Sequence, residues 1–476
     1  MNKLLLTVSA FTICLTGISK LAAVEKKYSK PVASRTKEKT KAAADPVQYK
    51  PPYQQNTKMT AAEKGSKGLG LEISGTTSTN FYAFETKRRE ENRGKGRGTH
   101  LAVDDSRINF EVFGKAPPQC LGGLEYSFLI GISGNAEHEE NPIQENRIKL
   151  KGEWGTFLAG DTRGVTDFMA VGTFFFVGGT GGFLGDYRAV INETTGIIIR
   201  DDLLNRFTPK DQTKVIYVTP RIYGIQAGYS YTPDGSHKGE QHLHSHTPTT
   251  SGPRSIVSGV RFAGVQFHEF ALNYKNTFAN CLDVSLSATG IVGRMRDLRR
   301  TLINSNQVNQ VNAPFPRRHM KAYALGAVVK CAGFSIGGEF LDNLHSAQMT
   351  AIKHSNLGKV YTIGVGYEIE CDAVSLSYMY TERKLGHIKT AQKVDNVITP
   401  KRFIDFGKTK FDAVAVTGDH ELAPGLTAYA EAVIFRMRAT QPGNLFNWNV
   451  TQNGFGDTTI GPNRGHVIIT GARIKF

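Results

Sequence analysis

Few residues of this 476-residue chain are spaced for chemistry, and those that are point to binding and ion handling rather than bond making. HLHSHT (His242–Thr247) puts three histidines at spacing two, which in an extended segment would share a face as metal ligands do. No carboxylate or Cys is fixed beside them in sequence, so a polar loop without metal is the weightier reading. His268, His420 and His466 are scattered and lack a Ser-centred partner motif, so catalysis is not expected. VGTFFFVGGTGGFLGDY (Val171–Tyr187) is Gly-rich, but no Lys-Ser/Thr follows and no strand-to-helix context surrounds it, which excludes a phosphate-binding loop. No cofactor and no nucleic-acid partner is implied. The remaining candidates are charges at alternate positions: Arg107, then Arg147, Lys149 and Lys151, then Arg473 and Lys475.

The elements that must carry these charges are strands. In VIITGARIKF (Val467–Phe476), Ile468, Ala472, Ile474 and Phe476 share one parity and Arg473 and Lys475 the other. Alternate side chains of a strand leave opposite faces, so one face suits lipid and the other water. The pattern recurs. Ile108, Phe110 and Val112 alternate with Arg107, Asn109 and Glu111; Tyr361, Ile363, Val365 and Tyr367 alternate with Thr362, Gly364, Gly366 and Glu368; Val374, Leu376, Tyr378 and Tyr380 alternate with Ser375, Ser377 and Thr381. A dry sandwich core would not set charges, Ser, Thr and Gly against so aromatic an opposite face. A lipid-facing wall around a watery lumen would.

Bulk properties agree. Apolar content is 40%, there are 50 glycines, and no stretch beyond residue 25 approaches the roughly 20 apolar residues of a spanning helix. Residues 1–23 read as a secretory signal: Lys3, the apolar run Leu4–Ile18, then Ala22-Ala23. The formal charge of +16 is uneven, because residues 24–68 hold eleven Lys/Arg against four acids. That segment is rich in Lys and Pro with little aliphatic periodicity, and is read as a disordered periplasmic tether. An electrostatic contact with the cell wall is its functional alternative.

From residue 69 on, connections alternate in length. Short ones fall near Pro117–Gly122, Glu153–Gly155, Ile222–Gly224, Asn280-Cys281, Ala332–Phe334, Cys371–Ala373 and Ala423–Gly425. Long ones fall near 87–101, 135–141, 163–210, 233–253, 295–319, 342–357, 384–408 and 439–464. Fifteen connections predict an all-β antiparallel barrel of sixteen strands over 69–476, with short periplasmic turns and long external loops. The strand over Ser255–Phe278 is over-long, with a bend expected at Gly264.

KVIYVTPRIYGIQAGYSYTPD (Lys214–Asp234) closely resembles the strand–turn–strand of Gram-negative general porins, and GEWGTFLAGDTRG (Gly152–Gly164) resembles their strand into the third external loop. The resemblance implies an outer-membrane homotrimer of barrels. Each would be a diffusion pore for small hydrophilic solutes and ions, with its third loop folded into the lumen. It also implies outer-membrane lipid and the barrel assembly machinery as partners, the latter reading Ile474 and Phe476. On that reading 163–210 is the constricting loop, its Phe residues pack on the wall, Ile197–Ile199 is a second anchor, and Asp167 and Asp186 face the opening. Arg107, Arg147 and Lys149 would stand on the wall opposite, setting a transverse field that leans toward anions. Lys151, Arg473 and Lys475 lie nearer the periplasmic rim. Residues 24–68 and the cysteines are not part of the usual pattern. Cys14 leaves with the signal, whereas Cys120, Cys281, Cys331 and Cys371 map to short turns. Cys281 starts the ninth strand and Cys331 ends the tenth, within bridging range if those strands pair; unpaired thiols are the alternative. A substrate-specific channel, or a plugged barrel serving as adhesin or anchor, is the competing function.

Overall fold

A computed structural model describes residues 69–87, 96–117, 123–134, 143–188, 190, 212–235, 264–278, 281–295, 319–344, 356, 358–384, 387–394, 397–405, 408–439, 445–447, 456–458 and 463–476. The signal and tether segments, His242–Thr247, Cys120 and Ile197–Ile199 lie outside them.

Sixteen strands close into one antiparallel barrel. They are β1 (Gly70–Thr86), β2 (Gly96–Lys115), β3 (Glu125–Ser133), β4 (Ile143–Gly152), β5 (Gly155–Thr162), β6 (Gln212–Val218), β7 (Ile225–Asp234), β8 (Gly264–Phe278), β9 (Leu282–Met295), β10 (Met320–Cys331), β11 (Phe334–Asp342), β12 (Lys359–Ile369), β13 (Asp372–Lys384), β16 (Lys408–Ala423), β17 (Leu426–Ala439) and β20 (Asn463–Lys475). Two hairpins within the long connections form separate two-stranded sheets: β14 (His387–Val394) with β15 (Val397–Asp405), and β18 (Leu445–Asn447) with β19 (Gly456–Thr458). The sequence pattern predicts both stretches, 384–408 and 439–464, as loop. Of the over-long strand predicted over Ser255–Phe278, 255–263 lie outside the described residues; 264–278 form β8, whose register with β9 shifts between Val265 and His268.

Each strand pairs with its neighbour in sequence order, and β20 closes on β1 from Thr76↔Lys475 to Thr86↔Gly465. Closure leaves no free sheet edge. Phe476 completes it: its N–H donates to the Gly75 carbonyl at 3.1 Å and its own carbonyl accepts from Gly75 N–H at 2.8 Å. Short turns sit at one end. Between β10 and β11, Ala332 (φ 50°) and Gly333 (φ 82°) both take positive φ, the two-residue hairpin geometry that matches strand twist.

The pleat sorts the side chains as the alternation requires. Ile108, Phe128, Leu272, Leu325, Ile363, Leu376, Val416, Ile434, Ile468 and Ile474 are exposed on the outer face, an apolar band of the kind lipid covers. Aromatics gather toward the short-turn end, where Trp154 stacks on Tyr217 with centroids 6.3 Å apart. At the same end a disulfide joins Cys281 and Cys331 across the β9–β10 pair, with Cα atoms 5.0 Å apart, while Cys371 is a free, exposed thiol.

Candidate functional site

The inward faces frame the lumen, and the connection after β5 turns into it. It opens with one helical turn, α1 (Val165–Phe168), and continues through 3-10 turns at Thr173–Phe175 and Gly182–Leu184. Its anchors track the wall strand by strand. Val165 N–H donates to Ser230 Oγ on β7 at 3.4 Å. Thr166 donates its N–H (3.2 Å) and its hydroxyl to Glu269 on β8. Val171 N–H donates to Ser287 on β9 at 2.8 Å, and Lys330 on β10 reaches the Phe175 carbonyl at 3.4 Å. Further along, Gly178 N–H meets Thr417 Oγ1 at 3.2 Å and Gly179 N–H meets Asp419 at 2.6 Å, both on β16. Glu431 on β17 accepts Thr180 N–H (2.8 Å), Thr180 Oγ1–H (2.9 Å) and Gly182 N–H (3.3 Å). Arg473 on β20 donates to the Gly179 carbonyl. The path ends at β1, where Asn80 Nδ2 donates to Asp186 at 3.2 Å.

Glycines on the wall make room for this path. The ring of Phe176 lies where a Cβ on Gly366, Gly337 or Gly364 would stand 2.8, 3.2 or 3.3 Å away. These alternate glycines of β11 and β12 form a groove that any side chain would fill. Of the three consecutive phenylalanines, Phe174 and Phe176 are buried and Phe175 half-buried. Phe183 and Tyr187 pack with Met379, Phe411, Phe435 and Met437. Burial pushes the Tyr187 phenol well above its ordinary range, so it stays neutral and donates to the Phe183 carbonyl at 2.9 Å. Two loop glycines, Gly179 (φ 64°) and Gly182 (φ 59°), take left-handed backbone beside the Glu431 carboxylate.

Among the described residues the loop's wall contacts run from β7 round to β1, and β2–β5 form the remaining arc. Three of the predicted wall residues stand on that arc. Arg107 (β2) and Arg147 (β4) both grip Glu145, at 2.6 and 2.7 Å. Arg107 Nε also donates to Asn109 at 2.6 Å, and Thr162 donates to Glu145 at 2.7 Å. Lys149 follows on the same face of β4, half-buried, one pleat nearer the short turns. Arg147 is buried, and its Nη1 has no protein hydrogen-bond partner.

The loop acids are placed differently from expectation. Asp186 rests on the wall, sharing Asn80 Nδ2 with Asp104, which lies 2.9 Å from it and also accepts from Tyr82. Asp167 sits at the other end of the loop, on α1, within electrostatic reach of Glu269. The carboxylate that Arg107 and Arg147 hold is Glu145, not a loop acid. Arg473 stands opposite Thr427, beside the short turn before β17 as expected, and lies buried under the loop, 4.6 Å from the Tyr429 ring centre. Sequence reasoning missed Glu145, Glu269, Asp419, Glu431 and Asn80. The available signal was their inward parity, as in TAYAEAVIF, where Glu431 is the one charge among apolar neighbours.

Sixteen antiparallel strands, an apolar outer band, a polar lumen and an inward loop define an outer-membrane channel barrel. The profile of one family, described as Gram-negative porin, matches residues 56–438, and the chain belongs to that family. Uncharacterized proteins from Rickettsia felis and Rickettsia conorii are 25% identical over 258 residues and 26% over 243. The matches cover 50% and 47% of this chain and 53% and 50% of those proteins, so the chain spans about half the length of the curated relatives it matches. Among solved structures, an anion-selective porin from Comamonas acidovorans is similar in fold at 14% identity, with a TM-score of 0.51 over 86% of this chain and all of that one.

Proposed function

We propose that this protein is a passive pore for small hydrophilic solutes and ions. The supporting observation is the arrangement of the inner loop. Among the described residues it is bonded along one long arc of wall, from β7 to β1, and the remaining arc β2–β5 carries the Arg107–Glu145–Arg147 cluster. A plugging segment would spread across the lumen instead. Two cations sharing one carboxylate leave a positive charge in excess, so the opening is assigned a mild preference for anions on this side. Asp104 and Asp186 act against it near β1.

The working unit is proposed to be a homotrimer, exported by residues 1–23, with 24–68 as a periplasmic tether in reach of the cell wall. Ile474 and Phe476 are proposed as the signal read by the barrel assembly machinery. Planar-bilayer recording tests the pore: step currents that scale with bulk salt conductivity are expected. Silent insertion of folded barrels would reject the pore and favour a plugged adhesin or anchor. Saturation of current by one solute would favour a substrate-specific channel.

A further inference from the structure

The long-loop end of the lumen carries polar side chains that neither the inner loop nor the wall uses. Asn343, one residue past β11, extends the ladder, its N–H donating to the Gly358 carbonyl at 3.0 Å. Its side chain is fully buried, yet neither Oδ1 nor Nδ2 of the amide has a hydrogen-bond partner among the described residues. Thr381 on β13 and Thr409 on β16 are buried almost as completely, and neither hydroxyl is bonded among those residues.

All three point into the barrel. Leu341, two residues before Asn343, stands opposite Val360, Val360 opposite Thr381, Thr381 opposite Phe411, and Phe411 opposite Met437. Thr409 is the next inward position beyond Phe411, opposite Arg383. The unbonded groups therefore lie along a shelf from β11 to β16, and the inward row beneath it is largely apolar: Leu341, Val360, Phe411 and Met437. Neighbouring polar groups are spent on holding the shelf. Asp342 Oδ1 accepts the Leu344 N–H at 2.8 Å, and Oδ2 lies 3.3 Å from Lys359. Asn356 donates its N–H to the Lys384 carbonyl at 2.9 Å, and its Oδ1 accepts the Lys384 N–H at 2.8 Å. The Asn343, Thr381 and Thr409 side chains take no part in this frame. Burying a polar group without a partner is destabilising, so three of them on one fixed shelf point to a ligand.

Hydrogen-bond chemistry narrows its class. An amide side chain offers a donor and an acceptor, and a hydroxyl offers both from one atom. A carboxylate or phosphate only accepts and would leave Asn343 Oδ1 unpaired. An ammonium only donates and would leave Asn343 Nδ2 unpaired. A hydroxyl-rich neutral solute satisfies both. Sugar rings also carry C–H faces, which suit the apolar row beneath, where water gains nothing. Asn343 and Thr381 stand two strand spacings apart, about 10 Å, more than one sugar ring bridges.

We propose that Asn343, Thr381 and Thr409 form a binding site for a neutral sugar of at least two rings at the long-loop mouth of the lumen. The inference deepens the pore reading by naming a class of solute, and it rests on that reading for the sugar's onward passage.

The test is equilibrium dialysis of radiolabelled maltose, sucrose and trehalose against the full chain folded in nanodiscs of phosphatidylcholine, with glucose and glucose 6-phosphate as controls. Planar-bilayer recording runs in parallel. At least one disaccharide is expected to bind saturably, about tenfold or more tighter than either control. Asn343→Leu should weaken that binding about tenfold, and the near-isosteric Thr381→Val and Thr409→Val about threefold each. All three should keep the wild-type circular dichroism; should Asn343→Leu fail to fold, the two valine variants decide. Absence of saturable binding by all three disaccharides, with step currents intact, overturns the site, leaves the pore standing and assigns the unbonded groups to water. Unchanged binding in the folded variants also overturns it, as does glucose 6-phosphate binding as tightly as the disaccharides. Saturable, variant-sensitive binding to a barrel that is silent in bilayers upholds the site and rejects the pore.

Discussion

The two arcs of the lumen wall obey the same pleat yet use their inward residues oppositely. On the covered arc, from β7 to β1, inward positions are glycines that admit Phe176 and buried acids that accept loop N–H groups. On the remaining arc, from β2 to β5, inward positions include long charged side chains that satisfy one another around Glu145. Buried backbone donors need acceptors, and a carboxylate can serve several. The difference teaches that a charged inward residue in a barrel has two distinct uses. It can hold a segment in place, or it can balance the charges of its neighbours on the wall.

The largest expected effect comes from breaking a latch on the covered arc. Glu431→Leu leaves the Thr180 and Gly182 N–H groups and the Thr180 hydroxyl without their acceptor. Each unsatisfied buried group costs about 1–3 kcal/mol. Amide exchange at Thr180 and Gly182 should accelerate by roughly a hundredfold or more, which corresponds to about 2.8 kcal/mol, and single-channel current should become noisy. Slow exchange and quiet current in this variant would dissolve the distinction between the arcs.

An intermediate effect is expected on the arc from β2 to β5. Arg147→Glu replaces a cation beside Glu145 with a second acid, and the reversal potential in a salt gradient should move toward cations. A change in permeability ratio of about three- to tenfold is expected, roughly 0.6–1.4 kcal/mol. Glu145→Gln should move it the other way by less, because Arg107 and Arg147 then face the lumen without a shared acid. A reversal potential indifferent to both would remove the cluster from the ion path.

The smallest effect on conduction belongs to the disulfide, which lies at the short-turn rim of the covered arc. Cys281→Ser should leave conductance and selectivity as they are. It should lower the unfolding midpoint, by at most about 4 kcal/mol of loop-closure free energy for a loop of 50 residues. An altered conductance would show that the short-turn rim shapes the pore.

Much of the barrel was legible in the sequence. Period-two alternation located the strands, and the short connections fell where turn residues such as Tyr223-Gly224 and Ala332-Gly333 stand. The positions of Arg107, Arg147 and Lys149 on the inner face followed from parity alone. Their partner did not. Glu145 shares the β4 face with Arg147 in any strand, but Arg107 reaches it only because β2, β3 and β4 are in register, Arg107 opposite Ser133 and Leu129 opposite Arg147.

The sequence by itself determined which face each side chain takes, because the pleat has a fixed period and a one-residue slip would turn every apolar residue inward. It also determined the strand number and which end carries the long connections. Tertiary structure alone decided the course of Val165–Tyr187 along the wall, the pairing of Arg107 and Arg147 with Glu145, and the burial of Arg473 beneath Gly179. Those contacts join residues up to 294 positions apart. No local propensity encodes them, and they exist only once the closed barrel brings opposite strands around a common interior.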